Sequence, residues 1–524
     1  MNSAEFINIA ASICPDRLAV ICGEKRHTFA ETEERVNRLA NALLEMGIEK
    51  GERVAIVQVN CNRYVEAYYA AAKLGAIFVP LNCRARQSEL KYMINTAEAS
   101  TLFIGGRYVG LVNSMRSDLP TVRRYISLEG EQEGMLDYEE LLSSSSPEAV
   151  GIEVEVEDED PAMLMFTAGT TGLPKAVMLS HNSFCVYVLG NVEPPDPESE
   201  EVNLIAIPLF HVAGAQTMMA STYGGRTMVL PSQFDATEWL ELVEKERVTR
   251  SVLVPTMLKR VIDHPDFHKY DLSSLQVITY GAAPMPLPVI EKAIGLLKHV
   301  SFINAFGQTE TASTVTTLPP EDHIIEGTEA ERQKKLRRLS SIGKAMDDTE
   351  VRVVDEASNE LPPGQVGEIA ARGPRLMLGY WKAPEATART IDKGGWLHTG
   401  DMGWMDEDGY FYLAGRATDM IIRGGENISP EEVEAVLCSH PSIEDAAVIG
   451  VPDEEWGERV RAVVVLKRGE KATDEEIIEF CRARLASYKK PESAVFVDRL
   501  LYSPLGKVLK REIREQYGKP SPKP

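Results

Sequence analysis

Amphipathic helical stretches alternate with short apolar runs through most of the first 400 residues, and this alternation limits the fold more than any other feature. VNRLANALLEMGI (36–48) is followed by RVAIVQV (53–59), and EAYYAAAKLGA (66–76) by IFVPL (77–81). The same pairing recurs at TEWLELVEKERV before TRSVLVP, and at PLPVIEKAIGLL before HVSFINAFG. Helices that bury one face against short apolar strands predict an α/β fold with largely parallel strands. Ligands then belong in loops at the carboxyl ends of those strands. Between about 340 and 416 the texture changes: EVRVVD, GEIAARG and GYFYLAGR read as strands punctuated by glycine and proline, a β-rich subdomain. A new α/β unit begins after Arg416, of a size that folds as a separate small domain. At 524 residues the chain is too long for one core.

Charge narrows the function classes. Lys and Arg number 56 against 79 Asp and Glu, a net charge of −23 that disfavours nucleic acid and anionic lipid as partners. The acidic runs EVEVEDEDP (153–161) and PPDPESEE (194–201) read as solvated loops. The seven cysteines are scattered, without a CxxC pair or a Cys/His cluster, so neither a disulfide framework nor a zinc site is expected. There is no apolar run of about 18 residues, and MNSAEFINIAASICPDR lacks the pattern of a signal peptide. A cytoplasmic location is the expectation.

FTAGTTGLPKAVMLSH (166–181) is the segment richest in chemistry. Thr167, Ala168, Gly169, Thr170, Thr171 and Gly172 form a small, hydroxyl-bearing loop that Lys175 closes. Glycines admit an anion close to the backbone N–H groups, while threonine hydroxyls and a lysine add donors and charge. The pattern suits a polyphosphate, and it equally describes a flexible Gly/Thr turn between strands. Its spacing, with no GK[ST] ending, is not that of a P-loop.

Further segments follow in order: PLFHVAG (208–214), YGAAPM (280–285), FGQTE (306–310), GEIAARGPRLMLGYW (367–381), WLHTGD (396–401), GRATDMIIRGGENISPEEVE (415–434) and SPLGKVLKREI (503–513). With the loop, they make the chain resemble the adenylate-forming superfamily of acyl-CoA synthetases, luciferases and peptide-synthetase adenylation domains, over about residues 10–515. The resemblance implies a two-step reaction on ATP, a carboxylic acid and coenzyme A, with acyl-AMP between the steps. It implies an adenylating domain over 1–416, a hinge at 417–419 and a mobile α+β domain over 420–524.

The resemblance also assigns roles. The loop Thr167–Gly172 with Lys175 would hold the β- and γ-phosphates. Glu310, with Thr170, would bind Mg²⁺, a hard cation that prefers oxygen. Thr309 would meet the α-phosphate, and Phe306 would stack on adenine beside Asn304, Ala305 and Gly307. Asp401 would accept hydrogen bonds from the ribose hydroxyls, with Arg416 nearby. Lys507 would bridge the carboxylate and the α-phosphate, acting with Thr309 and Glu310 in catalysis. His211, Val212 and Gly214 would line the acyl pocket, with Gly281, Ala282 and Ala283 as a small-residue floor. His211 reads as a wall or gate, because a carboxylic acid arrives ionised and needs no base. Gly424 and Gly425 would make room for the pantetheine arm, with Arg423, Lys489 and Lys490 as candidate contacts for CoA phosphates.

Three positions depart from the family pattern: Ala168, where serine is frequent, Ala176, where glycine is usual, and Thr418 at the hinge, where lysine or aspartate is usual. Altered nucleotide affinity is the expected consequence of the first two. The leading expectation is a carboxylate–CoA ligase for a fatty or aromatic acid. An enzyme that loads a carrier protein is the alternative, disfavoured because PLFHVAG lacks the early aspartate that pairs with an amino acid's amine. The tail beyond Lys507 is expected to hold no carrier domain, and a homodimer is an expected assembly. A luciferase-like oxygenase and a non-enzymatic binding module are weaker readings.

Overall fold

The computed structural model describes residues 1–519 except 151–154, 168–173, 417, 424–425, 454–455 and 503–507, and only the backbone of residues 426–427. Within these, two large α/β sheets of nine and eight strands lie in the N-terminal part, followed by a four-stranded antiparallel sheet and a five-stranded C-terminal one. The fold is mixed α/β with a β-rich subdomain and a C-terminal domain, as the alternation and its breakdown predict.

In the nine-stranded sheet, Thr227–Val229, Val202–Leu204, Arg250–Leu253, Val277–Gly281 and Ser301–Gln308 run parallel, and antiparallel strands close both edges. In the eight-stranded sheet, Arg53–Val57, Ile77–Pro80 and Thr101–Ile104 are parallel and apolar on both faces, because helices cover both sides. Its other end is antiparallel: Pro161–Thr167 returns as Lys175–Ser180, and Gly379–Tyr380 adds to that strand's far edge.

One core gathers Phe6, Phe29, Tyr64, Tyr68, Phe78 and Phe184 between the two sheets. The helix Phe29–Glu45 starts in a capping box of Thr28 and Glu31, which satisfies donors that the first turn would otherwise leave free. The helix Asn62–Lys73 is buried almost throughout. Its Glu66, 1% exposed, is held by Arg35 at 3.0 Å, the Tyr138 hydroxyl at 2.6 Å and Asn62 at 2.7 Å. A buried carboxylate persists only with such partners.

His181 opens the helix His181–Asn191 and is fully buried. The backbone N–H of Ser3 donates to its Nδ1 at 3.2 Å, with the Ser3 hydroxyl 2.9 Å from the same atom. Nδ1 is therefore an acceptor, and the ring is neutral with its proton on Nε2. Burial lowers its pKa from 6.5 to about 4, against a smaller raising effect of Asp160. The unfolded chain thus binds the extra proton first. Stability is expected to fall as pH drops from 6.5 towards about 4, by up to about 3 kcal/mol at the low end. Urea unfolding at pH 7 and pH 4.5 checks this, since His181→Gln should flatten the difference between the two.

The four-stranded sheet spans Glu350–Val354, Gly367–Arg372, Leu397–Met405 and Phe411–Arg416. The C-terminal sheet is built on the long hairpin Ile443–Asp453 and Gly457–Leu466, with Ser493–Phe496 parallel to its second strand. It has its own core, including Val433, Leu437, Val448, Val460 and Ile477. Lys510, on the helix Lys510–Tyr517, bridges Glu431 at 2.7 Å and Glu434 at 3.0 Å.

Candidate active site

Thr167, Gly281 and the segment Phe306–Glu310 lie at or just past the carboxyl ends of strands, whereas Asp401 lies within one. Thr167 ends one strand and Lys175 begins the next, and the two are direct cross-strand partners. Ala168, Gly169, Thr170, Thr171 and Gly172, together with Gly424, Gly425 and Lys507, lie outside the described residues. Gly281 ends the strand Val277–Gly281 and pairs with Ala305. Phe306, Gly307 and Gln308 close the strand Ser301–Gln308, and the short turn Thr309–Thr311 follows.

That turn is tightly built. A Cβ on Gly307 would lie 1.4 Å from the Ser313 carbonyl oxygen, so only glycine fits. Ala312 and Ser313 hold φ of 49° and 84°, the left-handed region that side chains disfavour. The Thr311 hydroxyl donates to the Ser313 carbonyl at 2.9 Å and accepts the Gln308 N–H at 3.0 Å. Backbone held this far from its preferred conformation is characteristic of functional turns.

Glu310 is gripped from a segment more than sixty residues away. The Tyr380 hydroxyl donates to Glu310 Oε1 at 2.9 Å, and the Met377 N–H donates to the Glu310 carbonyl at 2.9 Å. The Lys175 ammonium lies 4.7 Å from the centroid of the Tyr380 ring. Burial, and then the charge of Glu310, push the Tyr380 phenol up, so it stays a donor. Its segment is pinned by Arg375, 1% exposed, which reaches Asp348 at 2.5 and 2.8 Å, the Thr314 carbonyl at 2.7 Å and the Thr349 hydroxyl at 3.0 Å.

On the other side, Asp401 and Arg416 are cross-strand partners, and Arg416 Nε lies 2.7 Å from Asp401 Oδ1. Arg416 also donates to the Thr399 carbonyl at 3.2 Å, and Gln308 Nε2 donates to that oxygen at 3.2 Å. A single carbonyl thus ties the strand of Phe306 to the strand pair of Asp401 and Arg416. Phe306 is half-buried and packs towards Ile342, Val353, Ile369 and Phe411.

The glycines near the expected acyl pocket have a second physical reason. A Cβ on Gly281 would lie 2.0 Å from the Ala305 carbonyl oxygen, and one on Gly214 would lie 2.3 Å from that of Pro208. Close backbone packing demands glycine at both, whatever the size of the pocket. Ala282 holds φ of 65°. Ala283 is half-buried. Asn304 is buried and donates to the Ser341 carbonyl at 3.4 Å. His211 caps the helix Val212–Tyr223 by position, its ring 4.3 Å from that of Phe210. Two of the candidate CoA contacts are ion-paired: Arg423 with Glu492 at 2.7 Å and Lys489 with Glu432 at 2.7 Å.

Sequence reasoning passed over Tyr380, Arg375 and Gln308. All three stand inside motifs it used, GEIAARGPRLMLGYW and FGQTE, but a tyrosine or arginine in a motif carries no sign of which distant group it will meet.

This geometry is accompanied by similarity to known proteins along nearly the whole chain. Residues 8–381 match the AMP-binding enzyme family and residues 432–507 its C-terminal domain family. The chain belongs to the AMP-binding enzyme family. It is 38% identical to a feruloyl-CoA synthase of Amycolatopsis sp over 512 residues, covering 97% of each. It is 34% identical to an indoleacetate–CoA ligase of Aromatoleum aromaticum, covering 98% of each. The structure of the amide bond synthetase McbA from Marinactinospora thermotolerans superposes with a TM-score of 0.87 at 29% identity, covering 98% of this chain and 100% of that one. The protein is accordingly an ATP-dependent, AMP-forming acid–thiol ligase.

Proposed function

We propose that this ligase joins an apolar carboxylic acid, aromatic or aliphatic, to coenzyme A at the site around Glu310, with Mg²⁺ as cofactor. In the first half-reaction a carboxylate oxygen attacks the α-phosphorus of ATP, the bond to pyrophosphate breaks, and acyl-AMP forms. In the second, the CoA sulfur attacks the acyl carbonyl carbon, the thiol gives up its proton, and AMP leaves. Both acid and nucleotide arrive as anions, so the first step depends on cations placed where charge accumulates. The chain offers Lys175 for the β- and γ-phosphates, Lys507 for the carboxylate and α-phosphate, and Arg416 beside Asp401 for the ribose end. Thr309, the next residue along the turn from Gln308, is the donor for the α-phosphate.

The metal fits the residues present. Glu310 offers a hard oxygen donor: Oε1 accepts from Tyr380, and Oε2 has no hydrogen-bond partner among the described residues. When bound, Mg²⁺ would neutralise phosphate charge and so favour departure of pyrophosphate. The observation that carries this reading is that Tyr380 and the Thr399 carbonyl link Lys175, Glu310, Asp401 and Arg416 into one constellation.

We further propose the division into an adenylating domain 1–416, a hinge 417–419 and a mobile domain 420–524, which brings residues 422–428 to the site for thioester formation. A cytoplasmic location, a homodimer, a place in fatty or aromatic acid metabolism and the absence of a nucleic-acid partner belong to the same proposal. No helix among the described residues is long and apolar enough to cross a membrane.

Incubating the enzyme with Mg²⁺, ATP, CoA and a panel of aryl and acyl acids, and detecting thioesters by mass, tests the reading. The expected result is AMP and an acyl-CoA with at least one apolar acid. Pyrophosphate release without any CoA thioester would favour carrier-protein loading instead.

A further inference from the structure

Tyr380 stands between two opposite charges that do not touch each other. Its hydroxyl donates to Glu310 Oε1 at 2.9 Å, and the Lys175 ammonium lies 4.7 Å from its ring centroid. Lys175 and Glu310 themselves form no ion pair, although both border the same turn-and-hairpin region. Both charges are half-buried, and without the intervening ring their opposite signs would draw them together. Each would then be lost to its ligand, the lysine to phosphate and the glutamate to a metal.

The ring is held firmly in that place. Tyr380 is 6% exposed, its backbone pairs with Val177 on the strand that Lys175 begins, and its N–H donates to the Thr387 hydroxyl at 2.9 Å. On either side, the Leu378 N–H donates to Met178 and the Trp381 N–H to Ala176, at 2.9 and 2.8 Å. The Met377 N–H reaches the backbone carbonyl of Glu310 itself, at 2.9 Å. The segment is thus stitched to the backbones of both partners.

We propose that Tyr380 is a positioning residue that acts as a spacer, its hydroxyl fixing one oxygen of Glu310 and its ring face cradling Lys175, so that neither charge neutralises the other before the nucleotide arrives. The two functions are separable, because the hydroxyl serves the carboxylate and the ring serves the ammonium. The inference rests on the adenylation half of the function proposed above and is independent of the acid and the thiol.

The test is equilibrium binding to the full chain without acid or CoA. Mn²⁺·ATP is titrated by the paramagnetic signal of free Mn²⁺, and metal-free ATP is titrated in EDTA. Tyr380→Phe, which keeps the ring, is expected to weaken Mn²⁺·ATP by about tenfold and leave metal-free ATP unchanged. Tyr380→Leu, which removes both functions, should weaken both by about tenfold or more. Adding Glu310→Gln to Tyr380→Leu should restore metal-free ATP binding, by releasing Lys175 from the new ion pair, and should do so more than Glu310→Gln does alone. Native Mn²⁺·ATP affinity in Tyr380→Phe would overturn the hydroxyl's role. Failure of Glu310→Gln to rescue would overturn the spacer, as would losses that merely follow the unfolding midpoint. A native protein that binds no Mn²⁺·ATP would instead defeat the nucleotide reading as a whole.

Discussion

Lys507→Ala is expected to slow acyl-AMP formation by about 100- to 1,000-fold, while synthetic acyl-AMP still reacts with CoA at near-native rate. The magnitude is that of one charged donor removed from a developing phosphorane and an attacking carboxylate. Lys507 lies outside the described residues, but the anchors of its segment do not. Tyr502 and Val508 form an antiparallel bridge, the Leu509 N–H donates to the Leu501 carbonyl at 2.8 Å, and Lys510 is held by Glu431 and Glu434. None of these contacts uses the side chain at 507, so the substitution should leave the C-terminal core intact. Isotope exchange between pyrophosphate and ATP reads the first half-reaction, and thioester formation from supplied acyl-AMP reads the second. Equal loss of both would count against a lysine that serves adenylation alone, and so against alternation of the mobile domain about residues 417–419.

The architecture was legible because it rests on local pattern. Apolar runs such as RVAIVQV and IFVPL, alternating with amphipathic helices, suit a covered parallel sheet, and the strands Arg53–Val57 and Ile77–Pro80 lie in one. The placement of Gly281 and Glu310 at or just past the carboxyl ends of strands follows from the same rule. The links between them were not legible. Tyr380 meets Glu310 across seventy residues, and Arg375 meets Asp348 across twenty-seven, through antiparallel edge additions whose register no helix or strand period encodes. The glycines carry a second reason that the sequence does not show. Smallness at Gly281 suggests a pocket floor, whereas the approach of the Ala305 carbonyl would forbid a Cβ even with no pocket there. A residue's size is visible in sequence, but the atom it makes room for is not.

Gly307→Ala brings that distinction to the reacting end of the site. The added Cβ would fall 1.4 Å from the Ser313 carbonyl oxygen and 2.5 Å from its carbon, both backbone atoms that cannot swing aside. Relief must come from the turn itself. Gly307 pairs with Thr314 just past a register shift, and Ala312 and Ser313 already hold left-handed φ values, so little slack is left. Moving Ser313 breaks the 2.9 Å bond from the Thr311 hydroxyl and carries Glu310 away from the Tyr380 hydroxyl. A displacement of about 1 Å at a reacting group costs on the order of 100-fold in rate, and the variant is expected to lose at least that much adenylation activity. Gly295→Ala is the matching control. It lies in the helix Leu287–Leu296 with nothing within 4 Å of the added carbon, and it should stabilise the protein by about 0.5–1 kcal/mol through reduced freedom of the unfolded chain. Pyrophosphate exchange and thermal unfolding measured on both variants separate the two effects. Native exchange in Gly307→Ala would mean that the turn yields without moving Glu310, and that the closeness of Ser313 does not position the carboxylate.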